Sequence, residues 1–494
     1  MSNGLGMALA ALTMPVLKSC EMGLVYRRSV TQRGQIVMTQ LPNSLHALDI
    51  ASLVHPQSNL RKHLEQGPTI ISRGKGIYVY DEDGREDLEA AAGLWCASLG
   101  FGVERLAKVA YDQMCKVGYY HIYRSSSNES AIELAAKLLE MAPVPMSKVF
   151  FQCSGSEAND TAVKVVWYYW HAHGKPEKRK IIGRKMGYHG STCAAASISG
   201  KPDMHQESGL PFDAFRHTEF PNYYRNQLPG ETEEQFSGRM AKALEDLIIA
   251  EGPDTVAAFW AEPVMGAGGA VLPPEGYFEK IQAVLRKYDV LFVADEVICG
   301  FGRTGKMWGS QSYNLQPDMI SCAKALSAGL QPISALLMNE RVFQALMIES
   351  DKVGHLAHGY TYAGHPVTTA VALETLKIYE EMDLIGHVKA VEAPFLAKLK
   401  ALEAHPLIGE FRGVGLIGAL EVVKDKATRD MFPASAGVMD TLAANAKKHG
   451  LILRLVGNRI AFSPPLIISE AEVGEMLARL KSALDDTWSA VRTN

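Results

Sequence analysis

Residues 290–306 read VLFVADEVICGFGRTGK. This stretch opens with an apolar run that ends at Asp295, a composition typical of a strand buried on both faces of a parallel sheet. Such a strand brings its last residue to the carboxyl edge of the sheet, where open α/β proteins bind their ligands. The stretch therefore predicts an α/β fold with Asp295 at a ligand-binding edge.

The glycines of the same stretch fit two nucleotide-binding patterns. GFGRTG spells G-x-G-x-x-G, and GFGRTGK nearly spells the phosphate loop. A dinucleotide fingerprint needs a helix directly after its glycines, and residues 306–314 have no helical period. The phosphate loop fails because Met307 stands where Ser or Thr would bind magnesium. We therefore interpret the glycines as a tight loop beside a site.

Strand and helix patterns alternate over residues 148–339. Amphipathic stretches at 157–170 and 275–288 are predicted helices. The predicted strands are short apolar runs at 149–151, 181–182, 256–260, 290–294, 319–321 and 333–338. Strand followed by helix, repeated, predicts a mostly parallel sheet with helices on both faces.

The C-terminal part predicts a second, smaller α+β domain. The predicted elements are a long helix and its successor over 367–404, strands at 415–423 and 451–462, and helices at 436–449 and 470–490.

Composition excludes several classes of protein. The 494 residues carry 50 Lys and Arg against 54 Asp and Glu, without a long run of one sign, so a nucleic-acid partner is not expected. No apolar run reaches the roughly 20 residues of a membrane span. The seven cysteines lack C-x-x-C spacing, which predicts a reducing compartment and no metal site.

Residues 1–38 are predicted to precede the fold. The apolar run at 7–17 is followed by basic residues, the reverse of a secretory signal. A disordered extension, or translation that starts at Met38, is the favoured interpretation, and an organellar transit peptide is the alternative. We expect a cytoplasmic protein on the first interpretation.

Lys324 lies one predicted strand after Asp295, in DMISCAKALSAG. A desolvated lysine can form an imine with a carbonyl group. Taken alone, such a lysine is more often a surface residue whose ammonium group reaches water, and such an aspartate is more often held by backbone donors. Neighbouring parallel strands, however, would bring both to one edge of the sheet.

A third feature is FFQCSGSEAND at 150–160, where an apolar strand runs into Ser154 and a helix opens at once. The N–H groups at that helix start can bind an anion, while Ser154 and Glu157 can form an ordinary capping box, and both readings can hold together. A phosphate site, an imine-forming lysine and a carboxylate for a ring nitrogen together specify pyridoxal 5′-phosphate.

Five motifs resemble those of class III pyridoxal-phosphate aminotransferases. They are GSEAND (155–160), GYHGST (187–192), AEPVMGAGG (261–269), ADEVICGFGRTG (294–305) and AKALS (323–327). The similarity runs from about residue 45 to the C-terminus and is strongest to the omega-amine:pyruvate and plant-type pyruvate-dependent 4-aminobutyrate enzymes. It implies fold type I, a homodimer with its active site at the interface, and ping-pong transfer of an amino group from a primary amine or omega-amino acid to pyruvate.

The resemblance implies roles for the catalytic residues. Lys324 would hold the cofactor covalently and shuttle a proton, and Asp295 would keep the ring nitrogen protonated. Tyr188, the third residue of the catalytic set, would stack on one face of the ring, and Val297 would pack on the other.

The resemblance also implies binding residues. Gly155 and Ser156 would bind the phosphate, and Thr361, in HGYTYAGHP, would complete that cup from the other subunit. Trp95 and Arg454 would line the substrate pocket. An arginine inside an apolar strand needs a carboxylate partner. Judged from the residues alone, that partner is more often an Asp or Glu of the protein itself. The resemblance instead points to the carboxylate of a substrate.

The resemblance further implies an extension at 1–44, small-domain parts at 45–110 and 376–494, and a large cofactor-binding domain at 111–375. The chain departs from the family pattern at Leu330-Gln331, Ser334 and Tyr360, which affects the expected loop shape and substrate size. An aminomutase or decarboxylase on the same scaffold, or a 2-oxoglutarate-dependent transaminase, is the alternative activity. A binding or structural protein that has lost catalytic activity is a third possibility, against which the intact Lys324 and Asp295 argue.

Overall fold

The computed structural model describes residues 43–493. The chain divides into two compact units, Met1–Ile70 and Ile71–Asn494. The predictions for residues 1–38 lie outside the described residues. No helix within the described part is long and apolar enough to cross a membrane.

The described part of the first unit holds two short helices, α1 (Leu45–Ser52) and α2 (Leu60–Gln66). Each begins at a polar residue whose side chain accepts a hydrogen bond from the first turn: Ser44 from the N–H of Ala47, and Asn59 from the N–H of Lys62. These caps explain why both helices start where they do, because the first N–H groups of a helix have no partner inside it.

The second unit holds the remaining strands and helices. Its strands are β1 (Ile71–Lys75), β2 (Tyr78–Asp81), β3 (Glu86–Glu89), β4 (Lys148–Gln152), β5 (Lys180–Arg184), β6 (Phe215–Thr218), β7 (Val256–Ala261), β8 (Leu291–Asp295), β9 (Met319–Cys322), β10 (Ser334–Met338), β11 (Ile408–Val414), β12 (Ile417–Val422), β13 (Leu451–Ile452), β14 (Arg454–Val456) and β15 (Arg459–Phe462). Its helices are α3 (Ala92–Trp95), α4 (Glu104–Val117), α5 (Glu129–Met141), α6 (Gly155–Ala172), α7 (Cys193–Ile198), α8 (Pro202–His205), α9 (Tyr223–Asn226), α10 (Glu233–Glu251), α11 (Tyr277–Lys287), α12 (Gly309–Ser312), α13 (Glu340–Val353), α14 (Pro366–Glu381), α15 (Leu384–Ala401), α16 (Val438–Lys448) and α17 (Glu470–Thr493).

The central sheet has seven strands in the order β4-β10-β9-β8-β7-β5-β6. The neighbours from β9 to β6 pair in parallel, which confirms the predicted mostly parallel α/β fold. One strand was predicted wrongly: β10, expected as another parallel strand, runs antiparallel to both β4 and β9. A buried strand has the same apolar composition in either direction, so its composition could not reveal this.

Helices cover both faces of the sheet. Trp260 shares an apolar cluster with residues of α6 and α13, while its neighbour Phe259 belongs to a cluster with residues of α10 and α11. Successive side chains of a strand point to opposite faces, so the two helix pairs lie on opposite sides of β7. The buried strands therefore have no solvent face, and their ends are the exposed edge.

Two further sheets of four strands each are built from residues near the two ends of this unit. Their strand orders are β1-β2-β3-β13 and β11-β12-β15-β14. The pairing of β3 with β13 joins residues near position 88 to residues near position 451. The sequence patterns missed β1 to β3, β6 and β11, which are short or only partly buried. The domain boundaries at residues 110 and 375 stay a prediction.

Candidate active site

A cavity of about 410 Å³ opens at the carboxyl ends of the parallel strands. Its lining includes six of the residues singled out in the sequence: Gly155, Ser156, Tyr188, Asp295, Val297 and Lys324. Sites of this size at this edge are typical ligand sites of α/β proteins. Because β8 ends at Asp295 and the chain leaves β9 just before Lys324, the two side chains meet in one cavity.

Asp295 is held from three directions. One carboxylate oxygen, Oδ2, accepts a hydrogen bond from Asn159 Nδ2 at 2.9 Å and lies 2.8 Å from His189 Nδ1. The other, Oδ1, accepts from the backbone N–H of Val297 at 3.1 Å. The side chain is 4% exposed, so its orientation is fixed before any ligand arrives.

Lys324 adopts a strained backbone conformation. It begins a short 3₁₀ turn with φ of 49°, a left-handed conformation that costs a residue with a side chain about 1–2 kcal/mol. Residues held this way cluster at functional positions, where the surrounding structure fixes them. Within the described residues, Nζ of Lys324 has no hydrogen-bond or ion-pair partner.

The start of α6 presents free donors to the cavity. Ser154 caps the helix by accepting from the N–H of Glu157 at 3.2 Å, and the Glu157 carboxylate accepts from the N–H of Cys153 at 2.7 Å. The first bond is one half of the predicted capping box, and the other half does not form because Glu157 accepts from Cys153 rather than from the N–H of Ser154. The N–H groups of Gly155 and Ser156 have no partners in the described structure. Free N–H groups at a helix start bind phosphate well.

Two glycines keep this anion site open. A Cβ on Gly155 would lie 3.1 Å from both methyl carbons of Val297, and a Cβ on Gly190 would lie 2.6 Å from Ser156 Oγ. Ser156 Oγ also accepts from the N–H of Ser191 at 3.0 Å, which fixes its position. The cavity thus offers an anion cradle, a lysine amine and a buried carboxylate, a donor set that fits the phosphate, the aldehyde and the ring nitrogen of pyridoxal 5′-phosphate.

Tyr188 lines the cavity and contacts a buried acid. Its hydroxyl lies 3.1 Å from Ser191 Oγ, and its N–H donates to Glu262 Oε1 at 3.2 Å. The second oxygen of Glu262 accepts from the N–H of Gly266 at 3.0 Å. Complete burial raises the pKa of Glu262, since the charged carboxylate is cut off from water.

Three residues of this site were not singled out from the sequence. His189 and Asn159 contact Asp295, and Glu262 supports Tyr188. All three lie inside quoted motifs, next to residues that were assigned a role. The signal was present there, but only the folded geometry shows which side chain faces Asp295.

Three other predicted residues do not line this cavity. Trp95 is 4% exposed and belongs to an apolar cluster with Val264 and Ile298, although its neighbour Cys96 does line the cavity. Arg454 is half-buried in β14, and its Nε atom is buried without a hydrogen-bond partner. Thr361 is exposed.

The positions that depart from the family pattern affect the rim of the site. Gln331 lines the cavity, and its backbone carbonyl accepts from Ser327 Oγ at 2.6 Å. Ser334 is buried and donates from Oγ to the carbonyl of Ser154 at 2.7 Å, so it supports the residue that caps α6. Gln331 is the departure that changes the surface offered to a substrate.

The loop after β8 confirms the interpretation of its glycines. Gly302 and Gly305 have φ of 106° and 79°, so they occupy turns that other residues rarely adopt. The next helix, α12, has only four residues and starts at Gly309. No dinucleotide-type glycine turn followed directly by a helix forms in this part of the described structure.

The chain belongs to the class III aminotransferases. Residues 61–484 match the model of that family, aminotransferase class-III. Enzymes of this family use pyridoxal 5′-phosphate, which is therefore the cofactor of this chain.

Named relatives agree with this family. The chain is 46% identical over 459 residues to gamma aminobutyrate transaminase 3, chloroplastic, of Solanum lycopersicum, which covers 92% of this chain and 88% of the relative. It is 49% identical over 425 residues to gamma-aminobutyrate transaminase 1, mitochondrial, of Oryza sativa subsp. indica, covering 86% and 82% of the two chains.

Solved structures show the same fold. The omega transaminase of Pseudomonas jessenii in complex with PMP superimposes with a TM-score of 0.90 at 51% identity, covering 91% of this chain and 99% of that one. A thermostable omega transaminase variant engineered for asymmetric synthesis of enantiopure bulky amines also gives a TM-score of 0.90, at 50% identity. The fold is therefore that of fold type I transaminases.

Proposed function

We propose that this aminotransferase moves the amino group of a primary amine or omega-amino acid to pyruvate in a ping-pong cycle. The observation that carries the catalytic part is the meeting of Lys324, with a free amine, and a fixed Asp295 in one cavity beside the start of α6. The names of the similar proteins, omega transaminases and gamma-aminobutyrate transaminases, support an amine or omega-amino acid as the donor.

The residues of the cavity divide the chemistry between them. When bound, the cofactor supplies an electron sink for the negative charge that develops on the substrate carbon. Lys324 Nζ takes up and returns the proton, as a general base and then a general acid. The Asp295 carboxylate, held by Asn159 and His189, keeps a proton on the ring nitrogen through a charge-assisted hydrogen bond.

Other residues orient the cofactor. The N–H groups of Gly155 and Ser156 would bind its phosphate, while Tyr188 and Val297 would contact its ring. The exposed Thr361 completes the phosphate cup of a second copy of the chain. If each phosphate cup uses residues of both subunits, a dimer has two active sites, and both lie at its interface.

Exposed aromatic and apolar side chains support the dimer. Tyr111, Tyr120 and Tyr362 are 67%, 51% and 60% exposed, and the hydroxyl of Tyr119 donates to the carbonyl of Thr361 at 3.0 Å. Exposed aromatic side chains that lie together in one patch are typical of protein–protein interfaces. We therefore propose a homodimer in which the loop of Thr361 lies within the interface.

Pyruvate is the proposed acceptor because one cation is available for one carboxylate. Arg454 forms no ion pair within the described residues, so its guanidinium is free to bind a substrate carboxylate in bidentate fashion. The ring of Trp95 shares an apolar cluster with Ile298, which lines the cavity, and we expect the two to limit the room for a longer oxoacid. A second buried carboxylate without its own cation would be costly.

The compartment is proposed to be reducing. The six cysteines within the described residues are free. Burial, with Glu157 nearby, raises the pKa of the cavity thiol Cys153 to about 11, so this group stays a neutral thiol. The cytoplasm satisfies this condition, and so do the compartments named for the tomato and rice relatives.

An amine panel with pyruvate as the acceptor tests the proposed reaction. The holoenzyme is incubated with 4-aminobutyrate, β-alanine, a diamine, a long-chain amine or 1-phenylethylamine, and alanine formation is measured. We expect alanine from at least one donor with the parent enzyme and none with Lys324→Ala. Absence of alanine with every donor, or an equal yield from Lys324→Ala, would refute the proposal.

A further inference from the structure

Three side chains of the first unit that have no assigned role in amine transfer converge on one another. Asp49 lies in α1, His63 lies in α2, and His55 lies in the segment between them. The Nε2 atom of His55 lies 2.9 Å from Asp49 Oδ1 and 3.0 Å from Asp49 Oδ2. The Nε2 atom of His63 lies 3.0 Å from the same Oδ1. One carboxylate is therefore shared by two imidazoles.

The contact of His63 is not an ordinary hydrogen bond. Its Nε2 atom is buried and has no hydrogen-bond partner, although Asp49 Oδ1 is at hydrogen-bond distance. The direction of an N–H bond is therefore wrong for donation to Asp49. An unsatisfied buried nitrogen is costly, and a bound cation would remove that cost because it uses the nitrogen lone pair instead.

The spacing of the three atoms suits a small cation. The candidate ligand atoms all lie within 4.8 Å of one another, and the rings of His55 and His63 are 4.1 Å apart. Ligand atoms around a tetrahedral zinc ion with bonds of ~2.0–2.1 Å are about 3.3 Å apart. The contacts of the two histidine nitrogens with the Asp49 carboxylate would need to open by only a few tenths of an ångström. The side chains are 16%, 28% and 11% exposed for Asp49, His55 and His63, so solvent can supply a fourth ligand.

We propose that Asp49, His55 and His63 form a binding site for a divalent first-row transition-metal ion, with Zn²⁺ as the reference ion. Two imidazoles and one carboxylate are donors that suit such ions, whereas Mg²⁺ and Ca²⁺ prefer oxygen ligands throughout. The ion ties α1 to α2 and to the segment between them. The spacing of the cysteines predicted no metal site. This site contains no cysteine, so that spacing carries no information about it.

The site is tested by metal binding to the holoenzyme after treatment with EDTA and dialysis. Calorimetric titration with ZnCl2 should show one saturable site per chain, which MgCl2 does not fill. Asp49→Asn and His63→Gln should each weaken Zn²⁺ binding by at least about tenfold, since loss of a residue that only supports a metal ligand already costs ~10–100-fold in affinity. His205→Gln is the matched control. The ring of His205 lies 5.5 Å from that of His217, so this variant also removes one histidine of a pair, but a pair that shares no carboxylate within the described residues.

Two further measurements separate the metal site from a local folding effect. Far-ultraviolet circular dichroism of the metal-free variants must match that of the parent, and the visible d–d bands of bound Co²⁺ must disappear in His63→Gln. If either variant lost its helical signal, His55→Gln would replace it in the titration. The proposal is overturned if the parent binds no Zn²⁺ saturably, or if binding is the same in the parent and in the variants of Asp49, His55 and His63.

Discussion

His189 and Asp295 form a buried pair, with Nδ1 of the histidine 2.8 Å from Oδ2 of the aspartate and the two side chains 0% and 4% exposed. The pair joins the residue after Tyr188 to the last residue of β8. A carboxylate that must hold a ring nitrogen at one place needs such support, because its own torsion is otherwise free.

His189→Leu tests this support. We expect the first half-reaction with amine to slow by roughly ten- to a hundredfold, since one hydrogen bond to a charged group is worth ~1.5–3 kcal/mol. The rate is measured in a single turnover from the change in cofactor absorbance, and cofactor retention is measured after dialysis. The exposed His171→Gln is the control. A His189→Leu enzyme with the parent's rate and retention would show that Asp295 needs no such support.

Gly155 and Val297 should be coupled. Gly155→Ala places a methyl group 3.1 Å from both methyl carbons of Val297, and overpacking of this kind costs ~1–3 kcal/mol. Cofactor affinity should fall in Gly155→Ala and recover in part when Val297→Ala is added, because the crowded methyl groups are then absent. Cofactor dissociation constants of the parent, both single variants and the double variant form a thermodynamic cycle. Strictly additive losses would contradict the close approach.

Mixed dimers test the role of Thr361. Lys324→Ala and Thr361→Ala subunits should each have low activity at limiting cofactor when alone. A dimer of one of each has one site with Lys324 from one subunit and Thr361 from the other, so mixing should restore activity. The control mixes Thr361→Ala with the Lys324→Ala/Thr361→Ala double variant, which keeps the same amount of Lys324 but leaves no site with both residues intact. Equal activity in the two mixtures would argue against a site shared between subunits.

The stability of the protein should fall in acid through His217. Burial lowers the pKa of His217 to about 4, while its Nε2 atom lies 3.1 Å from the carbonyl of Ile198. The unfolded chain binds this proton below pH ~6.5 and the folded chain only below about 4, so the free energy of unfolding decreases as the pH falls between these values. His217→Gln should lessen that decrease by about 1–3 kcal/mol, with the exposed His171→Gln as the control. The loss of stability is measured from the unfolding midpoints of parent and variant between pH 7.5 and pH 4. The same loss in both proteins would contradict the role of His217.

The sequence predicted the catalytic edge because strand ends carry a local signal. The apolar run before Asp295 and the small residues around Lys324 both mark where buried strands stop, and the structure ends β8 and β9 at those places. The direction of β10 and the partners of Asp295 depend on residues far away in the chain. His189 is 106 residues from Asp295, so no local pattern could join them.

Trp95 shows a different limit. Its φ of 66° turns the chain within GLWCASLG, which places the ring in an apolar cluster and its neighbour Cys96 at the cavity. A motif fixes which residues lie near a site, but backbone torsions decide which side chain faces it. The same holds for Asp49 and His63, whose proximity depends on how α1 and α2 pack.

The choice of acceptor tests the proposed function most directly. The enzyme is converted to its pyridoxamine form with amine, the amine is removed, and pyruvate or 2-oxoglutarate is added at equal concentration while the absorbance of the aldehyde form is followed. Because Arg454 offers one guanidinium for one carboxylate, pyruvate should restore the aldehyde form faster. Restoration by 2-oxoglutarate at the same rate would contradict the pyruvate assignment.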